Sequence, residues 1–182
     1  NASGTMLWPN AVAISNAPGS QAEIRMAALT GGEFVFTWQD KRFNDPDIMA
    51  QKINLAGDLL WGDYLIIYSE QDSLARPQLN PRIVKTSDNG AIIIWEDHRF
   101  DTQNADLFAQ KVSAAGVKLW NAAGIPLCTA EYAQIGPRMV PDNDGGCFVV
   151  WDDLRNGNAP NDDIYAQHLS AAGVALWEAN GK

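Results

Sequence analysis

The chain has 182 residues, a formal net charge of −9 at pH 7 and apolar side chains at 46% of its positions. This acidic balance argues against a nucleic-acid partner, because proteins that neutralise phosphates need clustered Lys and Arg. The apolar fraction supports a buried core, and the absence of any apolar run near the roughly 18 residues of a membrane span predicts no membrane insertion.

Seven tryptophans fall into two interleaved series, which indicates an internal repeat. Members of the first series are 57 and 56 residues apart, and members of the second are 53, 59 and 57 residues apart. Repeats of about 50 residues are typical of arrays and propellers. The first series is Trp38, Trp95 and Trp151, and the second is Trp8, Trp61, Trp120 and Trp177.

In chain order, the first predicted element is a lone strand near Thr5 to Trp8, within a linker that covers residues 1–20. Three units follow at residues 21–77, 78–133 and 134–182, and each contains signals of four short strands. In the second unit PRIVKT and AIIIWED flank the turn SDNG, whereas LFAQKVS and VKLW flank the turn AAG, so each pair predicts a hairpin. AEIRMAAL in the first unit is typical of a helix, but its equivalents contain proline, which predicts strands instead.

Four short strands per unit predict an all-β, β-propeller-like fold with three four-stranded blades and an extra N-terminal strand. Propellers close with about four to eight blades. Three blades leave two open faces, so we expect a partial ring or a ring completed by oligomerisation. The expected partners therefore include other blades of the same parent protein or a second copy of the chain.

Each unit repeats the pattern Trp, any residue, Asp, any residue, Arg, a variable loop, Asp, two apolar residues, Ala and Gln. Each first strand also has a Gln four residues before an Arg. Because a group that recurs in every blade meets a need of every blade, we interpret each Arg as a structural, bidentate partner of a carboxylate or of loop carbonyls and assign no catalytic residue. The repeated residues are Asp40, Arg42, Asp47 and Gln51; Asp97, Arg99, Asp106 and Gln110; and Asp153, Arg155, Asp163 and Gln167; the first-strand pairs are Gln21 with Arg25, Gln78 with Arg82 and Gln134 with Arg138.

The pattern W-x-D-x-R, loop, D-I-Y-A-Q, hairpin and G-x-x-L-W, which runs from Thr5 to Gly181, resembles tandem repeats of secreted and cell-surface bacterial proteins of the Bacteroidetes type. The resemblance implies a β-propeller, export from the cell, a multidomain parent protein and a role at the cell surface.

The loops after the repeated Arg differ between units, and variable loops on a fixed scaffold often carry specificity. Two of these loops hold several oxygen donors that could bind calcium in an extracellular setting, although Asn, Asp and Gly also form ordinary turns. No other cofactor is predicted. Phe43 and Phe100 follow the repeated Arg and could stack on sugars or pack against a blade edge. The oxygen donors are Asp101, Asn104 and Asp106, and Asn158, Asp162 and Asp163.

The two cysteines and two histidines are too few and too scattered for a structural zinc site. Cys128 and Cys147 lie in apolar runs, so we interpret them as small buried hydrophobic side chains. The sequence contains no nucleophile elbow, P-loop or zinc-protease motif.

Together these patterns predict a non-enzymatic extracellular module that binds or presents a protein or carbohydrate ligand within a larger secreted or surface protein. The alternative is part of a propeller hydrolase such as a glycosidase, because carboxylates are abundant and a catalytic pair is compatible with the sequence. Catalytic groups would break the symmetry of the repeat. A third interpretation treats the repeats as spacers.

Overall fold

The computed structural model describes residues 3–4, 10–70, 76–157 and 162–182. Within these residues the chain is all-β, with three antiparallel sheets, one in each repeat unit, and a single 3₁₀ turn at Thr30–Gly32. The predicted propeller-like fold is confirmed. Blade 1 contains β1 (Gln21–Ala28), β2 (Phe34–Phe43), β3 (Asp45–Ile53) and β4 (Leu65–Tyr68); blade 2 contains β5 (Gln78–Lys85), β6 (Ala91–Asp97), β7 (Asp106–Val112) and β8 (Ile125–Cys128); blade 3 contains β9 (Gln134–Pro141), β10 (Cys147–Asp153) and β11 (Asp163–Leu169).

The first strands of the three sheets are neighbours, since β5 contacts both β1 and β9. They therefore surround a common axis, from which each sheet extends outward in the order of its strands. The predicted strand at AEIRMAAL is β1, so the proline-containing equivalents identified its structure correctly.

Adjacent blades pack face to face through apolar side chains. We call the face that covers the next blade in the chain the forward face, and the opposite one the backward face. The forward face of blade 1 includes Val35 and Ile48, which pack against Ile93 and Trp95 on the backward face of blade 2. Because β6 is covered on both faces, all seven of its residues are buried, as its continuous apolar run requires.

The fourth strands differ from the prediction. In each unit the AAG-type turn leads only to an isolated bridge, as between Val112 and Lys118. In blades 1 and 2 the regular fourth strand follows the second-series tryptophan. The reason is a side chain: Gln110 accepts a hydrogen bond from Trp120 N at 3.0 Å and donates one to Asn121 O at 2.7 Å. These bonds hold the tryptophan segment in place of a strand ladder.

Two of the second-series tryptophans, Trp61 and Trp120, join neighbouring blades. Trp61 Nε1 donates to Ala114 O of blade 2 at 3.2 Å, and its ring lies over Gly116. Gly116 has a φ of +79°, and a Cβ at this position would lie 2.8 Å from the Trp61 ring, so both the backbone and the packing require glycine. Trp120 makes the same contacts with Ala171 and Gly173 of blade 3.

Blade 3 has three strands instead of the predicted four within the described residues. Ala166 on β11 exchanges backbone hydrogen bonds with Lys182 at 2.9 and 2.8 Å, at the register where Ala109 pairs with Ile125 in blade 2. The position of a fourth strand is thus occupied only at its first residue. The predicted N-terminal strand at Thr5 to Trp8 lies outside the described residues.

The forward face of blade 3 is open, although it has the same apolar pattern as the covered faces. Positions that are fully buried in blade 2 are exposed in blade 3, where no described residue covers them. The blade 2 residues Ile92, Ile94 and Leu107 are each 0% exposed, and their equivalents Phe148, Val150 and Ile164 are 38%, 42% and 70% exposed.

Among the described residues, no helix is long and apolar enough to cross a membrane. Cys128 and Cys147 are buried free thiols, as predicted, and burial raises the pKa of both, to about 11 and about 12.

Candidate functional site

The repeated Trp, Asp and Arg form one clamp in every blade. In blade 1 Trp38 Nε1 donates to Asp40 Oδ2 at 2.8 Å, while Arg42 donates from Nε to Oδ1 at 2.9 Å and from Nη2 to Oδ2 at 2.7 Å. Both oxygens of the buried carboxylate are therefore satisfied, by the bidentate geometry that the sequence predicts. The same bonds, at 2.6 to 2.9 Å, join Trp95, Asp97 and Arg99, and also Trp151, Asp153 and Arg155.

Each clamp arginine also contacts an aromatic ring or the preceding blade. Arg99 lies 3.9 Å from the ring centre of Tyr68, on β4 of blade 1. Arg155 Nη2 lies 3.3 Å from Cys128 Sγ, on β8 of blade 2. The clamps of blades 2 and 3 thus contact the preceding blade, whereas Arg42 of blade 1 contacts Tyr64 of its own unit and Ser15.

In blade 1 the clamp carboxylate Asp40 and its cross-strand neighbour Asp47 have pKa values that are shifted in opposite directions. Burial alone would raise the pKa of Asp40, but the hydrogen bonds from Arg42 and Trp38 outweigh it and hold this pKa below its usual value. Asp47, directly opposite Asp40 in the ladder, has a pKa that burial and the charges of Asp40 and Asp45 raise to about 6. Burial and the charge of Asp97 likewise raise the pKa of Asp106 to about 6.

The variable loops show turn geometry. Asp101 accepts hydrogen bonds from Gln103 N at 2.8 Å and from Asn104 Nδ2 at 2.7 Å, so two of the predicted calcium donors are bonded to each other. No three His, Cys, Asp or Glu side chains within the described ranges lie close enough together to hold a metal ion. Asn158 lies outside those ranges, and calcium binding stays a prediction. Phe100 is exposed on its loop, whereas Phe43 is only partly exposed.

A second set of polar residues converges at the axis, and unlike the clamps it differs in every blade. Each first strand has a residue with positive φ two positions after its Gln: Glu23 (52°), Asn80 (51°) and Gly136 (63°). The residue between Trp and Asp of the clamp points to the forward face, because side chains alternate along a strand. This residue is Gln39 in blade 1, Glu96 in blade 2 and Asp152 in blade 3.

These two variable positions meet across the blade boundaries. Gln39 Oε1 accepts a hydrogen bond from Asn80 N of blade 2 at 3.1 Å. In the equivalent position Glu96 Oε1 accepts one from Gly136 N of blade 3 at 2.8 Å, and Glu96 Oε2 accepts one from Asn80 Nδ2 at 2.8 Å. Glu96 is 4% exposed, so a fully bonded carboxylate lies beside the axis where blade 1 has a neutral amide.

Asp152 approaches the same glycine from blade 3. Its Oδ2 atom lies 2.8 Å from the position of a Cβ on Gly136. Since N and Cβ of one residue are about 2.5 Å apart, the nearest oxygens of Glu96 and Asp152 are separated by at most about 8 Å. The Asp152 carboxylate has no hydrogen bond to another described residue. Two carboxylates, one fixed and one free, thus flank Gly136.

Three arginines complete what we call the axial cluster: Glu23, Arg25, Arg82, Glu96, Arg138 and Asp152. Arg25, Arg82 and Arg138 occupy the same register on the first strands, opposite Thr37, Ile94 and Val150. Burial lowers the pKa of Arg82, and the positive charges of Arg25 and Arg138 lower it further, whereas Glu96 and Glu23 act in the opposite sense.

Sequence reasoning missed the axial carboxylates because they occupy the position of the W-x-D-x-R motif that the pattern leaves open. The signal was present: this position changes from Gln to Glu to Asp, and strand alternation places it on the forward face. The first-strand arginines were predicted to be structural partners of a carboxylate or of loop carbonyls, and Arg82 and Arg138 hydrogen-bond to carbonyls one or two residues before them.

No protein-family model matches the sequence, and no curated protein matches it. Solved structures share the fold. An α-L-arabinofuranosidase from Lactobacillus brevis superposes with a TM-score of 0.56 at 12% identity, over 87% of this chain and 52% of that one. A family 117 glycoside hydrolase from Zobellia galactanivorans has a TM-score of 0.54 at 10% identity, over 94% and 49% of the two chains.

A glycosyl hydrolase from Bacteroides ovatus is similar as well, with a TM-score of 0.52 at 12% identity over 89% of this chain and 50% of that chain. The chain spans about half the length of these solved structures. All three of these structures carry the names of enzymes that act on glycosides. This finding overturns the prediction of a non-enzymatic binding or scaffolding module and favours the hydrolase alternative.

Proposed function

We propose that this chain is part of a propeller-type glycoside hydrolase in which Glu96 and Asp152 are the reacting carboxyls. The observation that carries the proposal is the approach of both carboxylates to Gly136, from two different blades, at a place where the repeat loses its symmetry. Glycosidases need two carboxyl groups, separated by about 5–5.5 Å in retaining enzymes and about 6.5–9.5 Å in inverting ones. The limit of about 8 Å set by Gly136 is compatible with this arrangement.

The hydrogen bonds around the two carboxyl groups give Glu96 and Asp152 different roles. Both oxygens of Glu96 accept hydrogen bonds, so Glu96 is positioned to stabilise the positive charge that develops at the sugar ring. Asp152 is free to exchange a proton, which it gives to the oxygen of the leaving sugar as the glycosidic bond breaks. Water then supplies the hydroxyl group to the anomeric carbon, and its proton returns to a carboxylate.

The test is hydrolysis of aryl glycosides and of oligosaccharides by the purified chain, with detection of the released phenol and of new reducing ends. α-L-Arabinofuranosides are the first substrates to try, because a structure with this fold carries that name. Glu96→Gln and Asp152→Asn are expected to remove activity without unfolding the chain. A folded chain that releases no product from any substrate class would overturn the proposal.

The open forward face of blade 3 supports a proposal about partners: a further blade of this repeat covers it. The support is the equivalence of this face with the forward faces of blades 1 and 2, each of which is covered by the backward face of the next blade. In a solution of this chain alone, the blade that is available comes from a second copy. Extracellular location is likewise proposed, on the resemblance of the repeat to secreted and surface proteins.

A further inference from the structure

We propose that Arg82 and Arg138 bind the carboxylate of an acidic sugar, which makes a uronic acid residue the substrate class of the axial cluster. The inference rests on the proposed function, because it assigns a substrate to the same site. It depends on a comparison of three equivalent arginines that have different neighbours.

Blade 1 shows how a carboxylate binds at this position. Arg25 Nη2 donates to Glu23 Oε2 at 2.8 Å, and Arg25 Nη1 donates to Ile24 O at 2.8 Å. One edge of the guanidinium thus holds a backbone carbonyl, while the other edge holds a carboxylate. This division suits Arg, whose planar group presents donors on two sides.

In blades 2 and 3 the arginine keeps the bond to a backbone carbonyl but has no bond to a carboxylate. Arg82 Nη1 donates to Pro81 O at 2.9 Å, and Arg138 Nη1 donates to Pro137 O at 3.0 Å, so both guanidinium groups are held at the backbone as Arg25 is. However, the residue equivalent to Glu23 is Asn80 in blade 2 and Gly136 in blade 3. No described carboxylate forms a salt bridge with either arginine.

Both arginines therefore have guanidinium donors without an acceptor among the described residues, while Asp152 Oδ2 lies 2.8 Å from the position of a Cβ on Gly136. Arg82 also lies within the electrostatic influence of Arg25 and Arg138, so a bound anion would reduce repulsion between like charges. A sugar carboxylate that accepts two N–H bonds would take the place that Glu23 occupies in blade 1. The same sugar would then lie beside Glu96 and Asp152, both of which approach Gly136.

The test is isothermal titration of the chain with glucuronate, with glucose and with acetate. Glucuronate is expected to bind and the other two to bind at least tenfold more weakly, because the site needs both the charge and the sugar. Arg82→Gln is expected to weaken glucuronate binding at least tenfold. The matched control is Lys85→Gln, which removes an exposed positive charge from the same strand and leaves binding unchanged.

A second variant gives blade 2 a carboxylate at the position of Glu23 in blade 1. Asn80→Glu places Glu where Glu23 stands, at nearly the same φ, so its carboxylate is expected to pair with Arg82 and to exclude glucuronate. Equal binding of glucuronate by the unmodified chain, Arg82→Gln and Asn80→Glu would overturn the inference, as would equal affinity for acetate. Binding needs no turnover, so the two proposals fail separately. A chain that binds glucuronate but hydrolyses no glycoside contradicts only the proposed function. A chain that hydrolyses neutral glycosides but does not bind glucuronate contradicts only this inference.

Discussion

The clamps and the axial cluster are built from neighbouring positions of the same repeat, yet they follow opposite rules. Trp, Asp and Arg of the clamp are identical in the three blades and form the same hydrogen bonds in each. The residue between Trp and Asp, which faces the other side of the strand, is different in every blade. The difference distinguishes two purposes. Residues that join blades are needed in every blade, whereas a reaction needs a single asymmetric site. Four experiments test this separation.

The largest effect is expected from breaking a clamp. Asp97→Ala leaves the largely buried Arg99 and the buried Trp95 N–H without their partner, and the loss of one member of a buried ion pair typically costs about 3–5 kcal/mol. Asp152→Ala, which removes an unbonded carboxylate from the axial cluster, should change the free energy of unfolding by about 0.5 kcal/mol or less. Denaturant titration measures both. Equal losses would mean that the axial position is structural too.

For catalytic activity, the variants of the axial cluster should have larger effects than variants of residues outside it. Glu96→Gln keeps the hydrogen bond to Gly136 N in the form that Gln39 makes with Asn80 N. It removes the charge and the bond from Asn80 Nδ2, because an amide nitrogen cannot accept a hydrogen bond. We expect stability within about 1 kcal/mol of the unmodified chain and a kcat that is lower by about 10²–10⁴-fold. Asp47→Asn is the control, since Asp47 lies in the β2–β3 ladder away from the axial cluster, and it should keep its activity. Loss of activity in the control and retention in Glu96→Gln would reverse the assignment.

The cross-strand aspartates should make stability depend on pH. Asp47 has a pKa of about 6 in the folded protein against an ordinary 3.8, so the folded state binds the proton more tightly. Stability is therefore gained as pH falls through about 6, with the gain complete below about 4. Between pH 7.5 and 4.5 the unmodified chain should gain about 2 kcal/mol relative to Asp47→Asn. Parallel pH profiles for the two proteins would contradict the prediction.

The smallest change in stability is expected on the open face of blade 3. Val150→Asp should leave the free energy of unfolding within about 0.5 kcal/mol, because Val150 is 42% exposed. Ile94→Asp, at the equivalent buried position of blade 2, should prevent folding. By sedimentation velocity the unmodified chain should self-associate and Val150→Asp should not. A stable monomer of the unmodified chain would contradict the proposed second-copy contact.

Some of the site could be predicted from sequence because its signals are local. The spacing of Trp38, Asp40 and Arg42 already places the three side chains on one face of a strand, but it left open whether Arg42 pairs with a carboxylate or with loop carbonyls. The fourth strand could not be predicted in the same way. Its position depends on whether the segment before Trp120 pairs with a strand or is held by Gln110, and an amide side chain ten residues away decides between them.

The sequence by itself determined the repeat, the all-β class, the number of blades and the residues that join them, because tryptophan spacing and strand periodicity are properties of one chain segment at a time. Only the tertiary structure decided that Glu96 and Asp152 meet at Gly136, and that Arg82 and Arg138 lack the carboxylate that Arg25 has. The bond between Glu96 and Gly136 N joins residues of two blades around the axis. Its geometry arises from the angle at which one blade packs on the next, which no periodicity within a blade specifies.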